Sequence, residues 1–184
     1  MKKTKENNGD YVKNHLFVAQ EKEYGDKYKS HLLEQYKLCV SMADRNSSRR
    51  VAANNFFLSL NTILIAIIGI LSRLGPSYII FYLWWIIIAS SAGILFCWVW
   101  RVNIGSYRAL SEAKFKVINA IEQELPVAAF ETEWRYLNPE NKDSKYPQLT
   151  KVERWIPLIF TALYFALMTV ALILASSTFF GWDP

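Results

Sequence analysis

The chain is poor in the residues that build disulfide frameworks and metal centres, with two cysteines and two histidines among 184 residues. His15 and His31 are sixteen positions apart, which on one helix puts them about 160° from each other at roughly 100° per residue. They therefore cannot share a metal within one subunit. Cys39 and Cys97 are separated by a hydrophobic segment and are expected in a reducing compartment, which argues against a disulfide. We predict no metal site and no cofactor.

Catalytic motifs are also missing. The sequence has no glycine-rich phosphate loop, no nucleophile elbow and no HExxH motif. Several glutamates lie in the central polar region, and on exposed helices they are expected to be solvated or ion-paired: Glu112, Glu122, Glu124, Glu131 and Glu133. The sequence therefore predicts that the protein is not an enzyme.

Charged side chains are absent from three long segments, residues 51–72, 74–100 and 155–182. At about 1.5 Å of helical rise per residue, each segment can cross a hydrocarbon core about 30 Å thick. A core helix of a soluble domain rarely extends so far without a solvated face. The sequence therefore predicts an all-α, polytopic, homo-oligomeric membrane protein with transmembrane helices at residues 51–74, 78–100 and 151–179.

The distribution of positive charge predicts the orientation. Twenty of the 21 Lys and Arg residues lie in residues 1–50 and 101–154, and the remaining one is Arg73, between the first two segments. Because Lys- and Arg-rich loops normally stay in the cytoplasm, we expect a cytoplasmic N-terminus and central region and an external tail at residues 180–184. A net charge of +5 spread in this way does not predict a nucleic-acid partner.

The polar regions are predicted to form a small helical cytoplasmic part. We expect a disordered N-terminus at residues 1–20 and an amphipathic helix at 21–50 that leads to the membrane. Within residues 101–150, the second transmembrane helix is expected to continue to about residue 125, softened at Gly105, and Pro126 to begin another helix at 126–137. These helices are too small for a large core of their own, so they must pack on one another or on neighbouring subunits.

Small and polar residues mark one face of the first transmembrane segment. Asn55, Ser59, Thr62, Ala66 and Gly69 recur at spacings of three and four. Asn54 and Asn61 lie beside this face, and the second segment carries Ala89 and Gly93 four positions apart. The predicted site comprises Asn54, Asn55, Ser59, Asn61, Thr62, Ala89 and Gly93. One interpretation is packing between subunits, with interhelical hydrogen bonds of roughly 0.5 to 2 kcal/mol each. The other is the lining of a wet cavity or pore.

A second group of polar and aromatic residues lies in the predicted cytoplasmic region: Arg101, Asn103, Tyr107, Arg108, Glu112, Glu133 and Trp134. They could contact a ligand or headgroup phosphates, because arginine presents a fork of donors to phosphate. Alternatively, Arg101 reaches along the helix to the headgroups and Arg108 pairs with Glu112.

Short motifs spread along the chain resemble the RipA family of octameric bacterial membrane proteins. Their sequences, in chain order, are EQYKL from Glu34, MADR from Met42, Arg49-Arg50, ANNFFLSLNT from Ala53, Trp100-Arg101 with Asn103, Ser106-Tyr107-Arg108, AKF from Ala113, ELP from Glu124 and Glu133-Trp134. The resemblance covers most of the chain from about Glu34 to the third transmembrane segment. It implies a bacterial inner-membrane location, a homo-octamer, and a link to stress tolerance or fitness within a host. It implies no biochemical activity.

Three functional hypotheses follow. The first is an oligomeric membrane scaffold or stress-adaptation protein, the second is a gated pore or membrane-disrupting defence effector, and the last is an enzyme. The predicted partners are other copies of the chain and the lipid bilayer. No acidic residue, lysine or histidine lies inside the three segments, which argues against a proton relay or an ion-coupled transporter.

Overall fold

A computed structural model describes residues 8–73, 79–137 and 153–180. These residues form six helices and no strand: α1 Asn8–Leu16, α2 Glu21–Tyr24, α3 Tyr28–Leu71, α4 Ile79–Glu122, α5 Ala129–Leu137 and α6 Trp155–Phe180. Residues 74–78 between the first two predicted transmembrane helices, the predicted start of the third at 151 and residues 181–184 of the predicted tail lie outside the described residues.

Three of the helices, α3, α4 and α6, are long and apolar enough to cross a membrane. The all-α fold with three transmembrane helices is therefore confirmed. Both α3 and α4 contain 44 residues, so each continues well past the length of a single span. Helix α4 is continuous from Ile79 to Glu122 and passes through Gly105, where the sequence predicts a softened helix.

The N-terminal helices differ from the prediction in two places. Helix α1 lies inside the segment expected to be disordered, and the rings of Tyr11 and His15 stack with their centroids 4.3 Å apart. The single helix expected from residue 21 is instead interrupted after α2 by Gly25, whose φ of 85° is readily adopted only by glycine. The chain resumes a helical path at Tyr28.

The chain divides into two compact units, and the first consists of Met1–Arg49 and Tyr107–Pro147. Among its described residues, Leu32 and Ala43 of α3 and Ile118 and Ile121 of α4 are buried. Asn46, only 5% exposed, donates a hydrogen bond from Nδ2 to Ser111 Oγ at 2.8 Å. Apolar packing and this buried amide therefore fix the two helices of the unit against each other.

The second unit consists of Arg50–Ser106 and Gln148–Pro184 and contains the three transmembrane segments. Its main core is formed by one set of buried side chains: Ile68, Leu83, Ile86, Cys97, Tyr164 and Ala171. A smaller cluster places Phe57 and Trp100 side by side, with ring centroids 5.9 Å apart and planes within 12° of parallel. All three segments contribute side chains to the main core, so the three helices pack together as one bundle.

The direction of each segment follows from its contacts. Arg50 pairs with Glu153 at 3.9 Å, and Asn61 accepts a hydrogen bond from Tyr164, so α3 and α6 run in parallel. Their contacting residues differ by 103 in number in both pairs, which fixes the register of the two helices. Helix α4 is antiparallel to α3, since Trp100 contacts Asn54 and Cys97 contacts Asn61.

We predict that Gly93→Ala destabilises the membrane-spanning unit and that Gly105→Ala does not. A Cβ at position 93 would lie 2.7 Å from Tyr164 Cε1, whereas a Cβ at position 105 would meet no atom within 4 Å. Overpacking costs about 1 to 3 kcal/mol, whereas removing an uncrowded helical glycine gains about 0.5 to 1 kcal/mol. Thermal unfolding in detergent measures both effects. Equal melting temperatures for the two variants would contradict this account of Gly93.

Candidate functional site

A buried polar cluster joins the three transmembrane segments around Asn61. The side chain of Asn61 is fully buried, and its Nδ2 donates a hydrogen bond to the carbonyl of Phe57, one turn earlier, at 2.8 Å. The Tyr164 hydroxyl donates to Asn61, shared between Oδ1 at 3.1 Å and the backbone carbonyl at 3.2 Å. Cys97 Sγ approaches the same Oδ1 at 3.5 Å. One asparagine therefore connects α3 to both α4 and α6.

A second polar contact lies two turns earlier on α3. The indole Nε1 of Trp100 donates a hydrogen bond to Asn54 Oδ1 at 3.0 Å, and the indole is 2% exposed. Trp100 comes near the end of a charge-free segment, where an indole can lie at headgroup depth. Trp100 lies inside the protomer, because Asn54 offers an acceptor that hydrocarbon cannot.

The structure divides the predicted membrane site into two sets. Asn54, Asn61 and Gly93 are directed into the protomer, and Ala89 is half-buried against its core. Asn55, Ser59 and Thr62 are instead exposed on the outer side of α3. The spacing of polar residues along the sequence did not separate the inward set from the outward set. Asn54 and Asn55 are neighbours in the sequence, and the two faces of α3 lie next to each other.

The exposed set continues along α3 as the outer stripe, which we define as Asn55, Ser59, Thr62, Ala66 and Gly69. The Thr62 hydroxyl donates to the carbonyl of Leu58 at 2.8 Å, so its own helix satisfies it. Asn55 makes no side-chain hydrogen bond to any residue that the structure describes. In a bilayer an exposed amide requires a partner or water, so the outer stripe is not an ordinary lipid-facing surface.

A buried carboxylate organises the first unit. Glu122, 1% exposed, accepts hydrogen bonds from the backbone N–H groups of Phe130 at 3.1 Å and Glu131 at 3.2 Å. It also accepts one from the Tyr36 hydroxyl at 2.7 Å. The expectation that Glu122 is solvated or ion-paired is therefore wrong. Its carboxylate caps the first turn of α5, where unpaired N–H groups attract negative charge.

Tyr36 responds electrostatically to this arrangement. Burial raises the pKa of its hydroxyl from the ordinary 10 to about 12, and the hydrogen bond and negative charge of Glu122 act in the same direction. The neutral phenol therefore remains the donor to Glu122 throughout the physiological pH range.

Helix α5 starts at Ala129 rather than at the predicted Pro126, and the Glu122 carboxylate caps this first turn.

The predicted cytoplasmic polar cluster is divided between the two units, with Arg101 and Asn103 in the second and the other five residues in the first. Arg108 Nε donates to Glu112 Oε1 at 2.7 Å, and this pair lies on the helix surface. Arg101, Glu133 and Trp134 are exposed, the last at 54%. Asn103 and Tyr107 are half-buried. The Arg108–Glu112 pair is the contact expected in the second interpretation of this cluster.

Sequence analysis missed the structural roles of Tyr164 and Glu122. Tyr164 stands well inside a charge-free segment, away from the headgroup depth where tyrosine is common. That position is a usable signal for an internal hydrogen-bond partner. Glu122 offers less, because several glutamates share its region and only the fold reveals which one reaches the start of α5.

No group of three or more His, Cys, Asp or Glu side chains that could hold a metal occurs among the described residues. A family model described as the octameric membrane protein family (8xMP) matches residues 33–173, well over half of the chain. No curated protein matches the chain, and neither does any solved structure.

We predict that Glu122→Ala loosens α5 and lowers the stability of the first unit. The substitution leaves the N–H groups of Phe130 and Glu131 and the Tyr36 hydroxyl without their acceptor, at a cost of about 1 to 3 kcal/mol. Hydrogen exchange should accelerate at residues 129–137. Glu124→Ala is the matched control, because Glu124 is exposed two positions later. Unchanged exchange in Glu122→Ala would rule out the capping role.

Proposed function

Because the chain belongs to the octameric membrane protein family, we propose that eight copies assemble into a non-enzymatic scaffold in the bacterial inner membrane. The scaffold serves stress adaptation or fitness within a host. Its N-terminus and central helices lie in the cytoplasm, as the distribution of Lys and Arg favours. The resemblance to the RipA family supports the same assembly, location and physiological role.

The observation that carries this proposal is the small share of each span that one protomer covers. Within the most hydrophobic window of α3, α4 and α6, only 17%, 22% and 11% of the residues are buried. Lipid can cover bulky apolar side chains, but an exposed amide or hydroxyl gains more from another helix. The outer stripe therefore favours association with further copies.

The polar groups of the protomer also favour a structural role. Asn54 and Asn61 are occupied by Trp100 and Tyr164, and Glu122 accepts three hydrogen bonds within the first unit. Within each unit, these groups use their hydrogen bonds to hold helices together. This supports a protein that acts by assembly rather than by catalysis.

We expect the purified chain in lipid nanodiscs to have a protein mass of about eight times 21.3 kDa. Planar-bilayer recording of the same preparation should be silent at all voltages, because a scaffold needs no conducting path. A protein mass of one subunit would exclude the octamer. Reproducible single-channel steps would exclude a purely structural role.

A gated pore or membrane-disrupting defence effector is the second candidate, and exposure of Asn55, Ser59 and Thr62 in a membrane segment favours it. Replacing all three by Leu distinguishes the two candidates. If the stripe packs between copies, the variant should lose the octamer. If it lines a pore, the variant should keep the octamer and lose conductance or toxicity. Leucine at exposed Ile63, Ile67 and Ile70 is the control set on the neighbouring apolar face.

A further inference from the structure

We infer that the outer stripe of α3 in one copy packs against a small-residue face of α6 in the next copy, parallel and at equal depth. The inference rests on the proposed octamer. It adds to that proposal by naming the two surfaces that meet and their register.

The α6 surface consists of Ala162, Ala166 and Thr169, spaced by four and three residues and all exposed. It lies away from the buried positions Tyr164 and Ala171 of the same helix. The Thr169 hydroxyl donates to the carbonyls of Phe165 and Ala166 within α6, at 3.0 and 2.8 Å. This surface can therefore enter a dry helix interface without leaving a hydroxyl unpaired.

The second span, α4, exposes the bulky side chains Trp84, Ile88, Leu95 and Trp98 at 54 to 64%. Helices α3 and α6 also expose bulky side chains, such as Ile70 and Ile159, but these lie beside their small-residue faces. Such bulky side chains suit lipid, whereas small side chains let two backbones approach closely. A ring of more than two identical subunits around one axis needs two different complementary surfaces on each subunit. The exposed small faces of α3 and α6 provide those two surfaces.

The register within the protomer defines the pairing between copies. Because Arg50 contacts Glu153 and Asn61 contacts Tyr164, a residue of α3 lies at the depth of the α6 residue numbered 103 higher. Ser59 therefore lies at the depth of Ala162, and Ala66 at that of Thr169. Copies related by an axis along the membrane normal share one depth, so these positions meet without a vertical shift.

The interface also supplies what the outer stripe lacks. Ser59 makes no side-chain hydrogen bond among the described residues, and the alanines opposite it leave carbonyls of α6 accessible at close approach. Asn55 lies five residues beyond Arg50, or about 7.5 Å along the helix, where it can reach the beginning of the neighbouring α6. Both polar groups thus gain partners that lipid cannot provide.

Disulfide trapping tests the pairing. In a Cys39→Ser background, a chain carrying both Ser59→Cys and Ala162→Cys should form a covalent ladder extending to eight subunits after oxidation. Either substitution alone should give no covalent dimer, because the two surfaces differ. Val99→Cys with Ala162→Cys is the control, since Val99 is exposed on α4 at nearly the depth of Ser59. Native Cys97 is fully buried and should stay unreacted.

Each other outcome overturns the pairing in a distinguishable way. An octameric mass without a ladder would refute this interface and leave the proposed assembly intact. A monomeric mass of the unsubstituted chain would refute both. A dimer from Ala162→Cys alone would indicate a symmetric contact between α6 helices. Fast labelling of Ser59→Cys by a membrane-impermeant thiol reagent would place the outer stripe against water rather than against protein.

Discussion

The absence of hydrogen-bonding partners in hydrocarbon governs the membrane-spanning unit. An amide buried in the spans needs a polar partner, and Asn61 finds partners in Tyr164 and in its own helix. The close approach at Gly93 follows from it, because the Tyr164 ring must pass directly over α4 to bring its hydroxyl to α3. A side chain at position 93 would push the ring away and break the connection between spans.

The same rule operates outside the spans with a charged group. Burial of a carboxylate is costly unless hydrogen bonds compensate it, and Glu122 receives three. Two of them come from the first turn of α5, so the group that would otherwise destabilise the unit instead determines where that helix begins. The third, from Tyr36, links the beginning of α3 to the end of α4. The first unit is therefore held by a cap as well as by apolar packing.

The sequence predicted the parts of the fold that depend on long, uniform patterns. Three segments without charge define three spans, and helical periodicity beyond Trp100 predicts the long extension of α4. It failed where a single residue decides the outcome. Gly25 breaks the first amphipathic helix through its backbone conformation, and Glu122 shifts the start of α5 by three residues beyond Pro126. For the candidate site, the residue types on α3 were predictable but their partners were not, because Tyr164 lies 103 positions away.

The two polar faces of α3 act on different levels of organisation. The inward face, with Asn54 and Asn61, connects spans of one chain, and the outward face carries polar groups that one chain leaves exposed. Lipid tails are as apolar as leucine, so burial of apolar surface gives helices in a bilayer little reason to associate. Close packing and a few hydrogen bonds must provide the affinity instead. In the proposed pairing, the small residues on α3 and α6 therefore define the two sides of the protomer that meet a neighbour, and the bulky exposed residues of α4 meet lipid.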